Sequence, residues 1–253
     1  MRVIATYSIK GGVGKTTSAV NLAYRAAAEG NRTLVWDLDP QGAATFLFRV
    51  KPKVRGGGDA LVRGRSEVDA LIRGTDFDGL DLLPADLSYR HMDLHLDRAK
   101  RPTSRIGRVV APLAGDYDVV FLDCPPSLSL VSENVFEAAD TVLVPMIPAP
   151  LPARTLDQLS EFLGREQREG PARRRSGPQI LAFFTMVDRR RKLHGQIVDE
   201  VSGSRPGILS TEVPAAVAFE QMGVRRQPVE VFAPRSPAAL AYRKLWAELR
   251  DRT

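Results

Sequence analysis

Ser8-Ile9-Lys10-Gly11-Gly12-Val13-Gly14-Lys15-Thr16-Thr17 is the stretch on which the architecture of this chain turns. Before it stands Val3-Ile4-Ala5-Thr6-Tyr7, a short, apolar, β-branched run that predicts a strand. After it, residues 15–29 carry small and apolar side chains at helical spacing (Val20, Ala23, Ala27), with Gly30 to end the helix. A glycine-rich turn between strand and helix is the setting of a phosphate-binding loop. Gly11, Gly12 and Gly14, with Val13 between them, let backbone N–H groups converge on phosphate oxygens. The helix start adds its positive dipole end. Lys15 is placed for the β and γ phosphates and Thr16 for Mg²⁺, with Thr17 completing the cradle. The general pattern has glycine at position 9, where this chain has Ile9. A second lysine, Lys10, opens the loop instead.

Outward from the loop the pattern repeats. Thr33–Trp36 is an apolar strand running into Asp37-Leu38-Asp39, and Val119–Leu122 is another that ends at Asp123. Leu80–Pro84, Thr141–Val144 and Ile180–Phe184 read the same way. Helical patterns precede Ala114 and cover 155–169, 193–202 and 237–250, the last with Leu240, Leu245, Trp246 and Leu249 inward. Residues 51–66, with Gly56-Gly57-Gly58 among lysines and arginines, predict a mobile loop, and 170–177 a polar linker. Apolar strands alternating with helices predict an α/β fold over 1–253 as a single domain. Its sheet is mostly parallel and twisted, with helices on both faces and ligands at the carboxyl ends of the strands.

Composition narrows the function classes. The 253 residues are 43% hydrophobic and 26% charged, ordinary for a globular protein. No run approaches the ~18 apolar residues of a spanning helix, and the start shows no basic-then-apolar leader. One cysteine, Cys124, excludes a disulfide framework or a metal cluster within one chain, and reads as a small buried filler. A reducing cytoplasm is the expected compartment. The net charge is +6. The window Arg165–Lys192 alone carries that surplus, through Arg165, Arg168, Arg173, Arg174, Arg175, Arg189, Arg190, Arg191 and Lys192 against Glu166, Glu169 and Asp188. Such an excess fits a polyanion partner or an arginine-rich solvated surface.

The run from Lys10 to Thr17 resembles the deviant Walker A box of the ParA/MinD family of P-loop ATPases. Asp37-Leu38-Asp39-Pro40-Gln41-Gly42 looks like that family's switch I, and Asp123-Cys124-Pro125-Pro126 like its switch II. The resemblance implies ATP and Mg²⁺ as cofactors and hydrolysis of ATP to ADP and phosphate. It makes Lys10 a cation reaching across a nucleotide-sandwich homodimer to the partner's phosphates. Lys10, Lys15 and Asp39 become the catalytic set, with Asp39 orienting water, and Thr16, Asp37 and Asp123 surround Mg²⁺. Thr185-Met186-Val187-Asp188 is similar to the adenine-side segment and Val213-Pro214 to its second piece.

The resemblance further implies a nucleoid-associated protein that binds non-specific double-stranded DNA as an ATP dimer. It would be stimulated by a ParB-like or other cargo-bound protein, and would partition or position a plasmid, chromosome origin or protein assembly. The usual Ile-Pro-Arg-Asn string is here Val213-Pro214-Ala215-Ala216, and Ala218 replaces a position often basic. Arg189, Arg190, Arg191, Arg225 and Arg226 are then the candidate DNA contacts. No helix-turn-helix region precedes the first strand, which predicts no operator-specific repression. Three rival readings remain. The first is a MinD-like membrane regulator, disfavoured because the basic amphipathic tail of those relatives is not seen. The second is a metabolic relative of the dethiobiotin-synthetase type, which has no need of Lys10. The third is a positioner of a carboxysome or chemotaxis cluster.

Overall fold

Each predicted apolar run forms a strand in the computed structural model, which describes residues 1–149, 156–159, 161 and 177–253. They are β1 (Arg2–Thr6), β2 (Thr33–Asp37), β3 (Arg73–Gly74), β4 (Leu80–Leu83), β5 (Val119–Asp123), β6 (Thr141–Met146) and β7 (Gln179–Phe184). They assemble in the order β3-β4-β2-β5-β1-β6-β7. Every pairing is parallel except that of the short edge strand β3 with β4. The two-residue β3 was not anticipated, because so short a run carries no periodicity.

The helices are α1 (Lys15–Ala28), α2 (Ala43–Leu47), α3 (Gly57–Val62), α4 (Met92–Asp97), α5 (Arg105–Val110), α6 (Leu130–Ala138), α7 (Lys192–Ser204), α8 (Val217–Arg225), α9 (Val229–Phe232) and α10 (Pro237–Arg252). Alternate strand residues point to opposite faces of a sheet. Val3 and Ala5 of β1, with Val120 and Leu122 of β5, pack on Ile106, Val109 and Val135 of α5 and α6. Ile4, Val119 and Phe121 face the other way, onto Val20, Ala23, Leu245 and Trp246 of α1 and α10. The sheet is therefore covered on both sides, which is why its strands read as continuous apolar runs. Two polar clasps fix α10 on α1: the Ser18 and Tyr242 hydroxyls lie 3.0 Å apart, and the Trp246 indole N–H donates to Glu29 at 2.8 Å.

Two expectations are corrected. The stretch 51–66 is not loop throughout, since α3 occupies its centre. Gly56, at φ 82°, takes the left-handed turn that starts the helix. Gly58 is buried, and its N–H donates to the Ser88 hydroxyl at 2.8 Å. Leu61 and Val62 then join the core, a burial worth roughly 1.5–3 kcal/mol per side chain. Leu240 is not inward. It is 43% exposed, while Leu245, Trp246 and Leu249 of the same helix are buried as expected. All of the polar linker 170–177 but Gly177, most of the helix 155–169, and Arg165, Arg168, Arg173, Arg174 and Arg175 lie outside the described residues. Among the described residues, no helix is long and apolar enough to cross a membrane.

Candidate functional site

The loop after β1 is built as a cradle. Gly12 and Gly14 sit at φ 70° and 88°, where a side chain brings strain. Gly14 is the N-cap residue of α1, with no side-chain cap and no acid in the first turn. The N–H groups from Gly11 to Thr17 have no acceptor among the described residues, so the helix start presents bare donors and a positive dipole end. A Cβ at Gly11 or Gly12 would meet nothing within 4 Å. The loop thus opens on free space of the kind phosphate oxygens fill.

The two lysines differ sharply. Lys15 is 6% exposed, and its ammonium donates to the Lys10 carbonyl at 3.2 Å. Burial lowers its pKa, against the opposing charges of Asp123, Cys124 and Asp39. The Lys10 side chain is exposed and has no hydrogen bond or ion pair among the described residues. One ammonium is held inside the cradle; the other stands free at its mouth.

Ladder register brings the acids together. β5 lies between β1 and β2, so Thr6, Asp123 and Asp37 are aligned at the carboxyl ends of three adjacent strands. Asp123 is fully buried. Thr6 donates to its Oδ1 at 3.4 Å, and its Oδ2 has no hydrogen-bond partner among the described residues. Burial, then the neighbouring Asp37 charge, raises its pKa well above the usual carboxylate range. The Thr16 hydroxyl lies beside it. An orphaned, buried carboxylate oxygen next to a hydroxyl is a hard oxygen donor set that fits Mg²⁺.

Asp37, expected beside the metal, has both its carboxylate oxygens in hydrogen bonds. Its Oδ2 accepts from the Thr45 N–H at 2.8 Å and the Thr45 hydroxyl at 2.7 Å, and its Oδ1 from the Asp39 N–H at 3.3 Å. The Thr45 hydroxyl in turn accepts from the Ala85 N–H at 2.8 Å. Asp37 is committed to pinning the switch segment onto α2 and the end of β4. Asp39 is left half-exposed, its Oδ1 taking the Gln41 N–H at 2.9 Å. Thr45 escaped the sequence reading because a threonine at a helix start carries no spacing signal; its Asp37 partner would have to be known first. Thr45→Val is expected to leave Asp37 short of a donor and to lower stability by about 1–3 kcal/mol. Urea unfolding measures this, and an unchanged midpoint removes Thr45 from the clasp.

The base-side segments also meet the loop. A Cβ on Gly14 would lie 3.5 Å from Thr185 Oγ1. Met186 takes φ 56°, rare for a non-glycine residue, and is 38% exposed. Val187 bridges Pro214, with the Val187 N–H donating to Val213 at 3.1 Å and the Ala215 N–H to Val187 at 3.0 Å. Thr185 thus lies beside the loop, and the Val187 bridge brings Pro214 next to the same segment. Cys124 is a buried thiol pushed up by burial, which matches a filler.

The candidate DNA arginines do not form one free patch. Arg189 is paired with Glu212 and with Asp199 at 3.1 Å, and Arg190 with Asp188 at 2.9 Å. Arg225 lies 5.2 Å over the Phe232 ring. Arg226 lies 4.5 Å over Phe46 and donates to its carbonyl at 2.8 Å. Only Arg191 of the five has an exposed side chain without such a contact among the described residues.

Comparison with known proteins accords with this geometry. Residues 1–172 match the AAA domain family. The chain is 31% identical over 255 residues to the chromosome partitioning protein ParA of Myxococcus xanthus, covering 99% of this chain and 88% of that protein. The chain belongs to the ParA/MinD family of P-loop ATPases. Another relative of this family, the sporulation initiation inhibitor protein Soj of Bacillus subtilis, is 30% identical over 253 residues, with 98% of each chain covered. Among solved structures, cobyrinic acid a,c-diamide synthase of Mycobacterium smegmatis with bound ADP and magnesium superposes with a TM-score of 0.83. It is 27% identical and covers 100% of this chain and 95% of that one. The fold expected of a ParA/MinD member, an open and mostly parallel sheet between helices, is the fold observed.

Proposed function

We propose that this chain is a ParA-type ATPase whose ATP-bound form is a sandwich homodimer. It binds non-specific double-stranded DNA in the cytoplasm, on the nucleoid. A ParB-like or other cargo-bound protein stimulates its hydrolysis, so that a plasmid, chromosome origin or protein assembly is partitioned or positioned. The observation that carries this reading is the free ammonium of Lys10 beside the inward-bonded Lys15. Two triphosphates brought face to face crowd many negative charges, and a cation supplied from each subunit offsets them. A metabolic phosphotransferase acting as a single chain has no such need.

Mg²⁺, when bound, draws charge from the β and γ oxygens and so eases cleavage. Asp123 and Thr16 would supply its protein oxygens, with Asp37 supporting the shell behind them. Lys15 and the bare N–H groups of the loop hold the phosphates in place. Asp39, anchored through Asp37 and Thr45, positions the attacking water, and Thr185, Met186 and Pro214 flank the base.

Lys10→Ala is expected to keep ATP affinity within about threefold, since the exposed side chain makes no contact within its own cradle. The ATP-dependent dimer should be lost. Asp39→Ala should do the reverse, accumulating the ATP-bound dimer while turnover falls at least about a hundredfold. Sedimentation velocity with ATP and Mg²⁺ reads both. A Lys10→Ala chain that dimerises as the wild type does would overturn the sandwich assignment.

A further inference from the structure

Four exposed cations face a cavity of about 730 Å³ at the sheet edge formed by β3: Lys51, Lys53, Arg55 and Arg73, with no acid in its lining. None of the four is in an ion pair among the described residues, though the Lys53 charge acts on the nearby Asp86 carboxylate, whereas Arg189 and Arg190 are directly paired. Their backbone is well held. Val54 is 4% exposed, and its N–H donates to Asp86 Oδ2 at 2.8 Å, while Asp86 Oδ1 takes the Ser88 N–H at 2.8 Å. Arg73 spends one terminal nitrogen on the carbonyls of Ala70 and Ile72, at 2.9 and 2.7 Å, which leaves its other N–H groups for a ligand.

We infer that this groove is where the duplex backbone docks, a placement that rests on the DNA-binding reading above. β3 and β7 are opposite edges of the sheet, so the groove is remote from the segment after β7 that carries Arg189 and its neighbours. Sequence-independent binding needs cations free to displace counterions from phosphates, and paired arginines must first lose their carboxylates. The groove supplies unpaired cations on a fixed backbone. Its lining has no exposed apolar side chain, whereas a protein partner is usually anchored by aromatic or apolar groups, with lysine depleted. Duplex DNA, with a charge every ~1.7 Å along its axis, is the polyanion this chemistry matches.

The test is fluorescence anisotropy of a labelled random-sequence duplex with the full-length chain, Mg²⁺ and a non-hydrolysable ATP analogue. The Lys51→Glu, Lys53→Glu, Arg55→Glu, Arg73→Glu chain should lose affinity at least about tenfold. The slope of log affinity against log salt should flatten by about 0.9 per contact removed. Analogue affinity should hold, since none of the four belongs to the nucleotide cradle described above, and circular dichroism should show the fold retained. A set of four glutamine replacements should show the same trend more weakly, with no acid introduced. If the wild type binds duplex and the glutamate variant binds it equally, the groove is wrong and the DNA reading stands. A wild type that binds no duplex in any nucleotide state overturns the DNA reading itself. Poly-glutamate displacing duplex as well as unlabelled duplex does, at equal charge, would assign the groove to an acidic protein and overturn this placement.

Discussion

Lys15→Ala abolishes ATP binding, with affinity falling by at least about a hundredfold. The side chain is 6% exposed, so its ammonium is already desolvated and held by one weak partner, the Lys10 carbonyl at 3.2 Å. A phosphate oxygen offers that ammonium a charged acceptor instead. Hydrogen bonds to charged groups contribute about 1.5–3 kcal/mol, or one to two powers of ten. Lys15 also stands among Asp123, Asp39 and Cys124. Alanine therefore leaves buried carboxylates facing the triphosphate with no cation between them, and this repulsion adds to the loss. Isothermal titration with ATP and Mg²⁺ measures it. Retained affinity would remove the loop from nucleotide binding, while an unfolded variant would show in its circular dichroism. Lys15→Arg keeps the charge but is too large for the enclosed position, and should recover little.

Asp123→Asn separates stability from function in opposite directions. Asp37 and Asp123 are buried side by side. Burial pushes both carboxyls up: the Asp37 charge adds to it for Asp123, while for Asp37 the hydrogen bonds from Thr45 and Asp39 oppose it and the pKa still rises from 3.8 to about 6. A carboxyl whose pKa is higher in the folded chain than in the unfolded one holds its proton more tightly when folded. Its stabilising contribution is complete below about pH 4 and is lost as pH rises to about 6. Ionising the pair at neutral pH is therefore costly in the nucleotide-free chain, with the Lys15 ammonium as the nearby cation that offsets it. Asparagine removes one charge, and its amide offers the neighbouring carboxylate a donor. The nucleotide-free variant should gain stability on the order of 2 kcal/mol at pH 7.5, seen as several degrees in thermal unfolding. Its advantage should shrink at pH 4.5, where the wild-type pair is protonated. ATP hydrolysis should fall at least about a hundredfold, because the orphaned oxygen suited to Mg²⁺ is gone. Equal melting temperatures at pH 7.5 would show that the pair is not strained, and normal turnover would take Asp123 out of the metal site.

The parts of the site legible from sequence are those whose geometry is local. The strand, the glycine turn and the helix start are consecutive, so spacing alone placed Gly11–Thr17. The apolar runs ending at Asp37 and Asp123 were readable for the same reason, since a fully buried parallel strand leaves a continuous signature. The middle of the 51–66 stretch was misread because glycines and cations mask a short helix stabilised by tertiary burial. Leu240 was placed inward because helical spacing does not say how wide the covered stripe is.

Spacing along the chain established a phosphate cradle, two lysines of different station and acids at strand ends, since each depends on near neighbours in sequence. Folding alone decided which partners those acids have. The β2–β5 register sets Asp37 against Asp123, Thr45 claims the first, and the second keeps an unused oxygen. Folding likewise paired Arg189 and Arg190 with acids and left Lys51, Lys53, Arg55 and Arg73 without an ion pair among the described residues. A charge in sequence has a sign but no partner. Whether it is spent or available depends on which groups the ladder and the packed helices bring within a few ångströms, and that contact is long-range.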